Sequence, residues 1–262
     1  MPTRSAIVRT PRVAATLVLG LMLLAAALPH AIAEAAGTTS GIGANGQGGL
    51  LVVGDSLTVG TDAFGSLNSK LQSLGIWSSV NIDARVGRTA HAGSMVLPKR
   101  ITRSTTALVV ALGTNDVISK SETWYPRWVI DELMTQSKNR PVLWVNLKFS
   151  VKSRPDLELR ARRFNSELRR ATSRWPNLTV LDWNEAFVPD ASSRFIADGV
   201  HLTVKGYRTR AKFLAPSISM FGSFIVDSST TTTSTTTTTS TTTPSTTTTT
   251  LVPDVAPVAP TP

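Results

Sequence analysis

The 262-residue sequence contains no cysteine and only three histidines. Without cysteine the chain can have no disulfide framework, thiolate zinc site, iron–sulfur cluster or cysteine nucleophile. Its carboxylates do not cluster at metal-ligand spacing, and neither a glycine-rich phosphate loop nor a dinucleotide-binding fingerprint is present. The sequence therefore predicts a protein that uses neither a metal ion nor an organic cofactor.

The first 33 residues have the pattern of an export signal. Three arginines precede the apolar run Val13–Leu28, and Ala31-Ile32-Ala33, with small residues at the cleavage positions, follows it. The run is shorter than the roughly 20 residues that a membrane-spanning helix needs. We therefore predict a signal peptide at 1–33, with an uncleaved anchor as the alternative, and a protein that is secreted or associated with the cell envelope.

The other end of the chain is poor in residues that can be buried. Residues 228–250 consist entirely of threonine, serine and one proline. Such a segment cannot offset its ordering entropy by burying apolar surface, so 227–262 is predicted to be a disordered tail. A glycine-rich linker is predicted at 34–49, which leaves one folded domain at 50–226.

Basic residues outnumber acidic ones, with 27 lysines and arginines against 17 aspartates and glutamates. A basic surface favours anionic surroundings such as acidic lipid headgroups or phosphate-bearing wall polymers. No recognition motif or basic–aromatic repeat accompanies the charge, so nucleic acid is not an expected partner. A basic module that adheres to the cell wall is therefore one hypothesis, and it requires no catalysis.

Apolar runs alternate with amphipathic stretches throughout 50–226. The runs rich in valine, leucine or isoleucine are predicted strands: Leu50–Val53, Val80–Val86, Ala107–Leu112, Pro141–Phe149 and Leu178–Trp183. The predicted helices are Asp62–Leu74, Trp124–Ser137, Asp156–Arg174 and Thr203–Phe221. Strands interleaved with helices imply right-handed crossovers, so we predict a three-layer α/β/α sandwich around a parallel five-stranded sheet.

Small, polar, turn-forming residues follow the predicted strands at four places. They are Gly54-Asp55-Ser56-Leu57, Val86-Gly87-Arg88-Thr89, Gly113-Thr114-Asn115-Asp116 and Asp198-Gly199-Val200-His201. Sites in such sheets lie beyond the carboxyl ends of the strands, so these segments are expected to converge. Together they supply a hydroxyl, a backbone glycine, an amide and a carboxylate–imidazole pair, which is the inventory of a serine acyl-transfer site.

Serine needs a neighbouring base to act as a nucleophile, and imidazole is the side chain best matched to neutral pH. We predict that Ser56 is the nucleophile, His201 its base and Asp198 the carboxylate that orients the imidazole. The backbone N–H groups of Ser56 and Gly87 and the side chain of Asn115 are the predicted oxyanion hole.

Two further residues are candidates for substrate contact. Arg88 adjoins a predicted oxyanion donor and can steer an anionic substrate, although an exposed arginine is the commoner outcome. His91 is the only histidine besides His201 beyond the signal segment, with a loop histidine as the alternative. Asp55 and Asp116 are expected to brace their turns through hydrogen bonds to the backbone.

In their order and content, these blocks resemble the GDSL/SGNH hydrolase superfamily. The letters of the family's name fall on Ser56, Gly87, Asn115 and His201, with Asp198 as the third member of the triad. The resemblance implies a flavodoxin-like fold and the hydrolysis or transfer of an acyl ester. Between the second and third blocks the stretch 88–103 matches no family pattern, so the resemblance implies no particular substrate.

Three runs, 53–58, 83–88 and 198–203, are most similar to bacterial SGNH domains that stand alone or are fused to membrane acyltransferases of cell-surface glycans. No multi-helix membrane portion is present here to carry acyl groups across a membrane, which favours an esterase. We therefore predict a secreted serine esterase, and we expect it to be a monomer. Its expected substrates are short-chain, O-acetyl-type esters of a glycan or a lipid. The alternative is an extracellular O-acyltransferase that acts on cell-wall glycan, because water and a sugar hydroxyl compete for the same acyl-enzyme.

Overall fold

The computed structural model describes residues 36–40, 48–186 and 191–235. Six strands lie in these ranges: β1 Ala36–Ser40, β2 Gly49–Gly54, β3 Ser79–Ala84, β4 Thr105–Ala111, β5 Val142–Val145 and β6 Leu178–Leu181. The α-helices of the same ranges are α1 Ser56–Gly65, α2 Leu67–Ser73, α3 Ala90–Arg100, α4 Thr114–Ser119, α5 Tyr125–Gln136, α6 Pro155–Ala171, α7 Trp183–Ala186 and α8 Val204–Thr235. The strands form one sheet in the order β1-β3-β2-β4-β5-β6, in which β2 to β6 are parallel and β1 is antiparallel.

The sheet is covered on both faces, because alternate residues of its strands pack into different clusters. Leu51 and Val53 of β2 pack with α3, α5 and α6, whereas Leu50 and Val52 pack with α1, α2 and α8. The two-residue period of a strand produces this alternation, and burial on both sides explains why β2 is one unbroken apolar run in the sequence. The predicted three-layer α/β/α sandwich with five parallel strands is confirmed.

All five predicted strands form, but four of them end earlier than predicted: β4 by one residue, β3 and β6 by two, and β5 by four. β3 stops before Val86, which is 67% exposed in a turn. β5 stops at Val145, because the next apolar residues bind a side chain instead of a neighbouring strand. The backbone N–H and C=O of Leu147 pair with the side-chain amide of Asn165 at 2.9 and 2.8 Å. Apolar composition alone could not distinguish this arrangement from a longer strand.

The segment predicted to be a glycine-rich linker, 34–49, contributes the sixth strand, β1. Its residues Ala36–Ser40 pair with β3 at the edge of the sheet. Pairing at an edge depends on backbone hydrogen bonds, so this strand needs no apolar alternation that a sequence pattern would reveal. The predicted signal peptide, 1–33, lies outside the described residues.

Four helices begin or lie where the sequence pattern did not place them: α1, α3, α4 and α7. Helix α1 begins at Ser56 rather than Asp62, because the Asp55 side chain caps it directly after β2. Helix α3 lies within the unassigned stretch 88–103, although it contains Pro98. The Thr89 side chain accepts the Ala92 N–H at 3.1 Å at its start, so capping and tertiary packing outweigh the weak helix propensity.

The last helix is longer than predicted. Helix α8 continues to Thr235 and thereby includes the first residues of the segment predicted to be a disordered tail. Extension of an existing helix adds a hydrogen bond for each residue fixed, and serine and threonine do not stop a helix as proline does. The rest of the predicted tail, 236–262, lies outside the described residues. In the part of the chain that the structure describes, no helix has the length and apolar character needed to cross a membrane.

Candidate active site

Three neighbouring strands end level at one edge of the sheet. Gly54 at the end of β2 pairs with Ala84 of β3 on one side and with Ala111 of β4 on the other. The segments that follow these strands therefore leave the sheet side by side. Ser56, which comes two residues after Gly54, emerges between the exits of β3 and β4.

Ser56 is the first residue of helix α1. Asp55 caps this helix, because its Oδ1 accepts the Leu57 N–H at 2.9 Å. The first four N–H groups of an α-helix have no partner within the helix, and the Ser56 N–H is one of them. The N–H groups of Leu57, Thr58 and Val59 bind Asp55. Ser56 therefore presents its side chain together with its own N–H at the positive end of the helix.

A short turn brings Asp198 and His201 together. One carboxylate oxygen, Oδ1 of Asp198, accepts the N–H groups of Val200 and His201 at 2.8 and 2.9 Å. Gly199 has a φ of +68°, a left-handed conformation that glycine adopts without a steric penalty. The same glycine's carbonyl accepts the Ser150 N–H at 2.8 Å, which ties the turn to the segment after β5.

The three side chains predicted to form a triad lie in a continuous hydrogen-bonded row. The second oxygen of Asp198, Oδ2, lies 2.7 Å from Nδ1 of His201, and Nε2 of His201 lies 3.0 Å from Oγ of Ser56. The carboxylate can only accept, so it assigns the proton to Nδ1 and leaves the Nε2 lone pair for the serine hydroxyl. In this tautomer His201 is arranged to remove a proton from Ser56.

The electrostatic environment keeps Asp198 ionised. Partial burial raises the pKa of its carboxyl. Hydrogen bonds from the His201 ring and from the N–H groups of Val200 and His201 lower this pKa by a larger amount. The net pKa is below the usual value. Asp198 therefore holds a negative charge beside the imidazole, where it can stabilise the imidazolium formed during proton transfer.

The two other predicted oxyanion donors lie in the segments that follow β3 and β4. Gly87 is the third residue of a turn closed by the Arg88 N–H on the Arg85 carbonyl at 3.2 Å, and its φ of +75° is the kind that a type II turn requires at this position. Asn115 lies in the first turn of α4, and its Nδ2 donates to the Arg88 carbonyl at 3.0 Å. This hydrogen bond joins the exits of β3 and β4 and brings Gly87 and Asn115 onto the same edge.

The two candidates for substrate contact have different environments. The Arg88 guanidinium donates to both the carbonyl and Oδ1 of Asp83 at 2.6 Å, and its side chain is only 7% exposed. Arg88 is therefore a structural residue of this turn, in place of the substrate contact that the sequence suggested. His91 is exposed, and its Nδ1 pairs with Oε2 of Glu132 at 2.8 Å.

Asp55 braces its turn as predicted, whereas Asp116 ties its turn to the first residues of α3 and α5. In addition to the cap formed by Asp55, Asp116 accepts the Ala90 N–H and the Tyr125 hydroxyl, each at 2.7 Å. Burial raises the pKa of both carboxyls against the lowering effect of these hydrogen bonds. Among the residues that the structure describes, no group of three or more histidine, aspartate or glutamate side chains is placed to hold a metal ion.

Sequence reasoning missed Arg210, which ties the helix of Ser56 to the helix that follows His201. Arg210 lies on α8 and is only 3% exposed. Its Nη1 donates to Oγ1 of Thr61 at 2.8 Å and to the Leu57 carbonyl at 3.3 Å, both on α1. Its guanidinium also lies 5.9 Å from the centre of the Trp183 ring. Nothing in the sequence distinguishes this buried arginine from the exposed ones around it.

The lowered pKa of Asp198 predicts a pH-dependent contribution to stability. An acid with a lower pKa in the folded state stabilises the fold above its unfolded value, here 3.8, and this stabilisation is lost as the pH falls through the folded pKa. Wild type should therefore be more stable than Asp198→Asn at neutral pH, and the difference should shrink below pH 3.8. Urea unfolding of both proteins across this range measures it. A difference that is constant between neutral pH and about pH 2 would contradict the assigned environment.

Comparison with known proteins identifies the family. Residues 52–209 match the GDSL-like lipase/acylhydrolase family. A search of curated proteins gave no match. Among solved structures, the chain resembles the lipase/acylhydrolase of Enterococcus faecalis, with 19% identity, a TM-score of 0.56, and coverage of 65% of this chain and 95% of that one.

Two other solved structures have a similar fold. A member of the lipolytic G-D-S-L family from Veillonella parvula has 21% identity and a TM-score of 0.51, covering 63% of this chain and 94% of that one. The C-terminal catalytic domain of peptidoglycan O-acetyltransferase A from Streptococcus pneumoniae has 17% identity and a TM-score of 0.52, covering 67% and 93%. The sheet edge with its serine, histidine and aspartate thus lies within a matched segment of more than half the chain, and the protein belongs to the GDSL-like lipase/acylhydrolase family of ester-hydrolysing serine hydrolases.

Proposed function

We propose that this protein is a secreted serine esterase that hydrolyses short-chain, O-acetyl-type esters through Ser56, His201 and Asp198. The observation that carries the proposal is the hydrogen-bonded row from Asp198 Oδ2 through the His201 ring to Ser56 Oγ, at 2.7 and 3.0 Å. Its support is the position of this row at the edge of the sheet where ligands of α/β proteins bind.

The first half of the proposed reaction forms an acyl-enzyme. Oγ of Ser56 attacks the ester carbonyl carbon while Nε2 of His201 takes the hydroxyl proton, and Asp198 stabilises the resulting imidazolium. The tetrahedral intermediate collapses when the same Nε2 returns the proton to the leaving alkoxide oxygen. The alcohol departs, and the acyl group remains bonded to Oγ of Ser56.

The second half repeats these steps with water. His201 removes a proton from a water molecule, whose oxygen attacks the acyl carbon, and Ser56 leaves with the proton carried by Nε2. The carboxylic acid is released and the hydroxyl is regenerated. One base therefore serves both halves of the cycle.

Donors around the oxyanion lower the barrier of both halves. Three are proposed: the N–H groups of Ser56 and Gly87 and the side chain of Asn115. An amide nitrogen carries two hydrogens, so Asn115 can hold the Arg88 carbonyl with one and present the other to the substrate. Loss of one such donor typically reduces kcat about 10²–10³-fold.

An extracellular O-acyltransferase is the alternative, and it uses the same acyl-enzyme with a sugar hydroxyl in place of water. The similarity of fold to a peptidoglycan O-acetyltransferase domain supports this alternative and the preference for an acetyl group. The triad treats both acceptors alike, so the acceptor depends on what binds next to the acyl-enzyme.

We also propose that the enzyme works outside the cytoplasm, in contact with the cell envelope. The export pattern at 1–33 supports secretion. The net charge of +10 favours association with anionic envelope polymers or lipids. Under this proposal the charge determines where the enzyme is held, and the serine site determines what it does.

Removal of the nucleophile should abolish turnover without loss of the fold. Ser56→Ala should lower kcat for p-nitrophenyl acetate by at least about 10³-fold, because alanine has no hydroxyl group and the acyl-enzyme cannot form. Ser73→Ala, which removes an exposed hydroxyl, serves as the matched control and should keep the wild-type rate. The proposal is wrong if Ser56→Ala keeps the wild-type rate or if the wild-type enzyme hydrolyses no acyl ester.

Competition between water and a sugar acceptor decides between esterase and transferase. Wild-type protein is incubated with p-nitrophenyl acetate and a deacetylated wall glycan, and mass spectrometry follows both free acetate and acetylated glycan. An esterase releases acetate in proportion to nitrophenol and leaves the glycan unmodified. If acetyl groups accumulate on the glycan beyond the level of the Ser56→Ala reaction, the transferase alternative replaces the esterase.

A further inference from the structure

Two exposed tryptophans lie close together: Trp128 is on helix α5, and Trp124 is the residue directly before this helix. Trp124 is 61% exposed and Trp128 is 42% exposed, with their ring centres 6.1 Å apart. We call this pair the aromatic platform. Three other tryptophans, Trp77, Trp144 and Trp183, are buried in the core, where indole rings ordinarily contribute to packing. The platform leaves large apolar surfaces in water, which in soluble proteins marks an interaction site.

The platform is held in place by packing and hydrogen bonds beneath it. The ring of Tyr125 lies 5.9 Å from Trp124 and 5.4 Å from Trp128, and its hydroxyl donates to the buried Asp116. The His91 ring lies 5.2 Å from Trp128 and is fixed in turn by Glu132. Rings that are already ordered lose little conformational entropy when a ligand binds.

These supporting contacts also connect the platform to the candidate active site. Asp116 directly follows Asn115, the proposed oxyanion donor, and its two carboxylate oxygens hold Tyr125 and Ala90. Tyr125 adjoins Trp124 in the chain, and Ala90 adjoins His91, which contacts Trp128. One buried carboxylate therefore connects the proposed oxyanion donor to both sides of the platform.

The groove that the platform lines combines its apolar indole surface with charges of both signs. Its lining consists of Trp124, Arg127, Trp128, Asp131, Glu132 and Thr135. Asp131 pairs with Arg174 and Arg127, and Glu132 pairs with His91. The charges here are therefore balanced and do not share the positive excess of the whole chain. Balanced charges give anionic lipid headgroups and nucleic-acid phosphates no net attraction, whereas each paired carboxylate can still accept a further hydrogen bond from a hydroxyl group.

A carbohydrate matches both the exposed indole rings and the carboxylates of the groove. A pyranose ring has an apolar face of C–H groups that stacks on an indole, and its rim of hydroxyl groups bonds to carboxylates and other polar side chains. We infer that the aromatic platform binds the sugar rings of a polysaccharide and holds the chain so that its ester groups reach Ser56. The second half of this inference rests on the proposed esterase function, whereas the binding half can be tested without turnover.

The test measures binding to a variant that lacks the proposed nucleophile and so cannot hydrolyse an ester. The full chain carrying Ser56→Ala is titrated with chitohexaose, a β-1,4-linked N-acetylglucosamine hexamer, by isothermal calorimetry, and its retention on insoluble chitin is measured by pelleting. We expect binding to both. Trp124→Ala combined with Trp128→Ala should weaken the affinity for the hexamer by about tenfold or more, because two stacking contacts are lost.

Two controls separate recognition from general surface effects. Met220→Ala removes a side chain that is 71% exposed on another helix, and it should leave chitohexaose binding unchanged. Trp124→Phe keeps an aromatic face and should retain more affinity than Trp124→Ala. Thermal unfolding of each variant checks that the fold is intact, and the single variant Trp124→Ala serves if the double variant does not fold.

The outcomes distinguish the inference from the proposed function. The inference is overturned if Ser56→Ala binds neither chitohexaose nor chitin, if the double tryptophan variant binds as tightly as its parent, or if the platform instead binds phosphatidylglycerol vesicles. Failure of wild type to hydrolyse p-nitrophenyl acetate, with tryptophan-dependent chitohexaose binding retained, would reject the esterase proposal and leave the carbohydrate site in place.

Discussion

The hydrogen bond between Ser56 and His201 joins side chains that are 145 residues apart in the sequence. Its 3.0 Å length depends on two helices that lie on the same face of the sheet. Ser56 begins α1 and His201 precedes α8, and the buried Arg210 of α8 donates to two groups on α1. The proton transfer proposed for this enzyme therefore depends on how firmly these two helices are held against each other.

The contact between α1 and α8 places two charged groups, Asp55 and Arg210, in the interior. Burial raises the pKa of the Asp55 carboxyl while the nearby charge of Arg210 lowers it, and burial lowers the pKa of Arg210 itself. Charged groups away from water destabilise a protein unless their partners compensate. Their presence beneath the nucleophile indicates that the position of Ser56 is maintained at some expense of stability, as is common at functional sites.

The sequence was most informative where a function depends on local spacing or on strand order. Asp198 and His201 are three residues apart, so their contact could be predicted from one turn of chain. Convergence of Ser56, Gly87 and Asn115 followed from the rule that parallel strands end at one edge. The ion pair of Arg88 with Asp83 could not be predicted, because an arginine beside an oxyanion donor has the same sequence pattern whether it binds a substrate or the preceding strand.

The aromatic platform is a second feature that could not be predicted from the sequence. Trp124 and Trp128 are four residues apart at the start of a helix, and in sequence this spacing is typical of a face that packs into the core. Only the structure distinguishes the exposed pair from Trp144, which is fully buried. The platform lies at the start of α5, in the layer opposite α1 and α8, and Asp116 connects it to the segment of Asn115 at the sheet edge.

The most direct test of the account is to identify the residue that becomes covalently modified. Phenylmethylsulfonyl fluoride should react with the activated hydroxyl, forming an O–S bond to Ser56 and releasing fluoride, and peptide mass spectrometry should find the sulfonyl group on that residue as esterase activity is lost. His201→Ala should remain unlabelled under the same conditions, because its serine has no base. Loss of activity with the label on another residue, or full activity with Ser56 labelled, would contradict the assignment of the nucleophile.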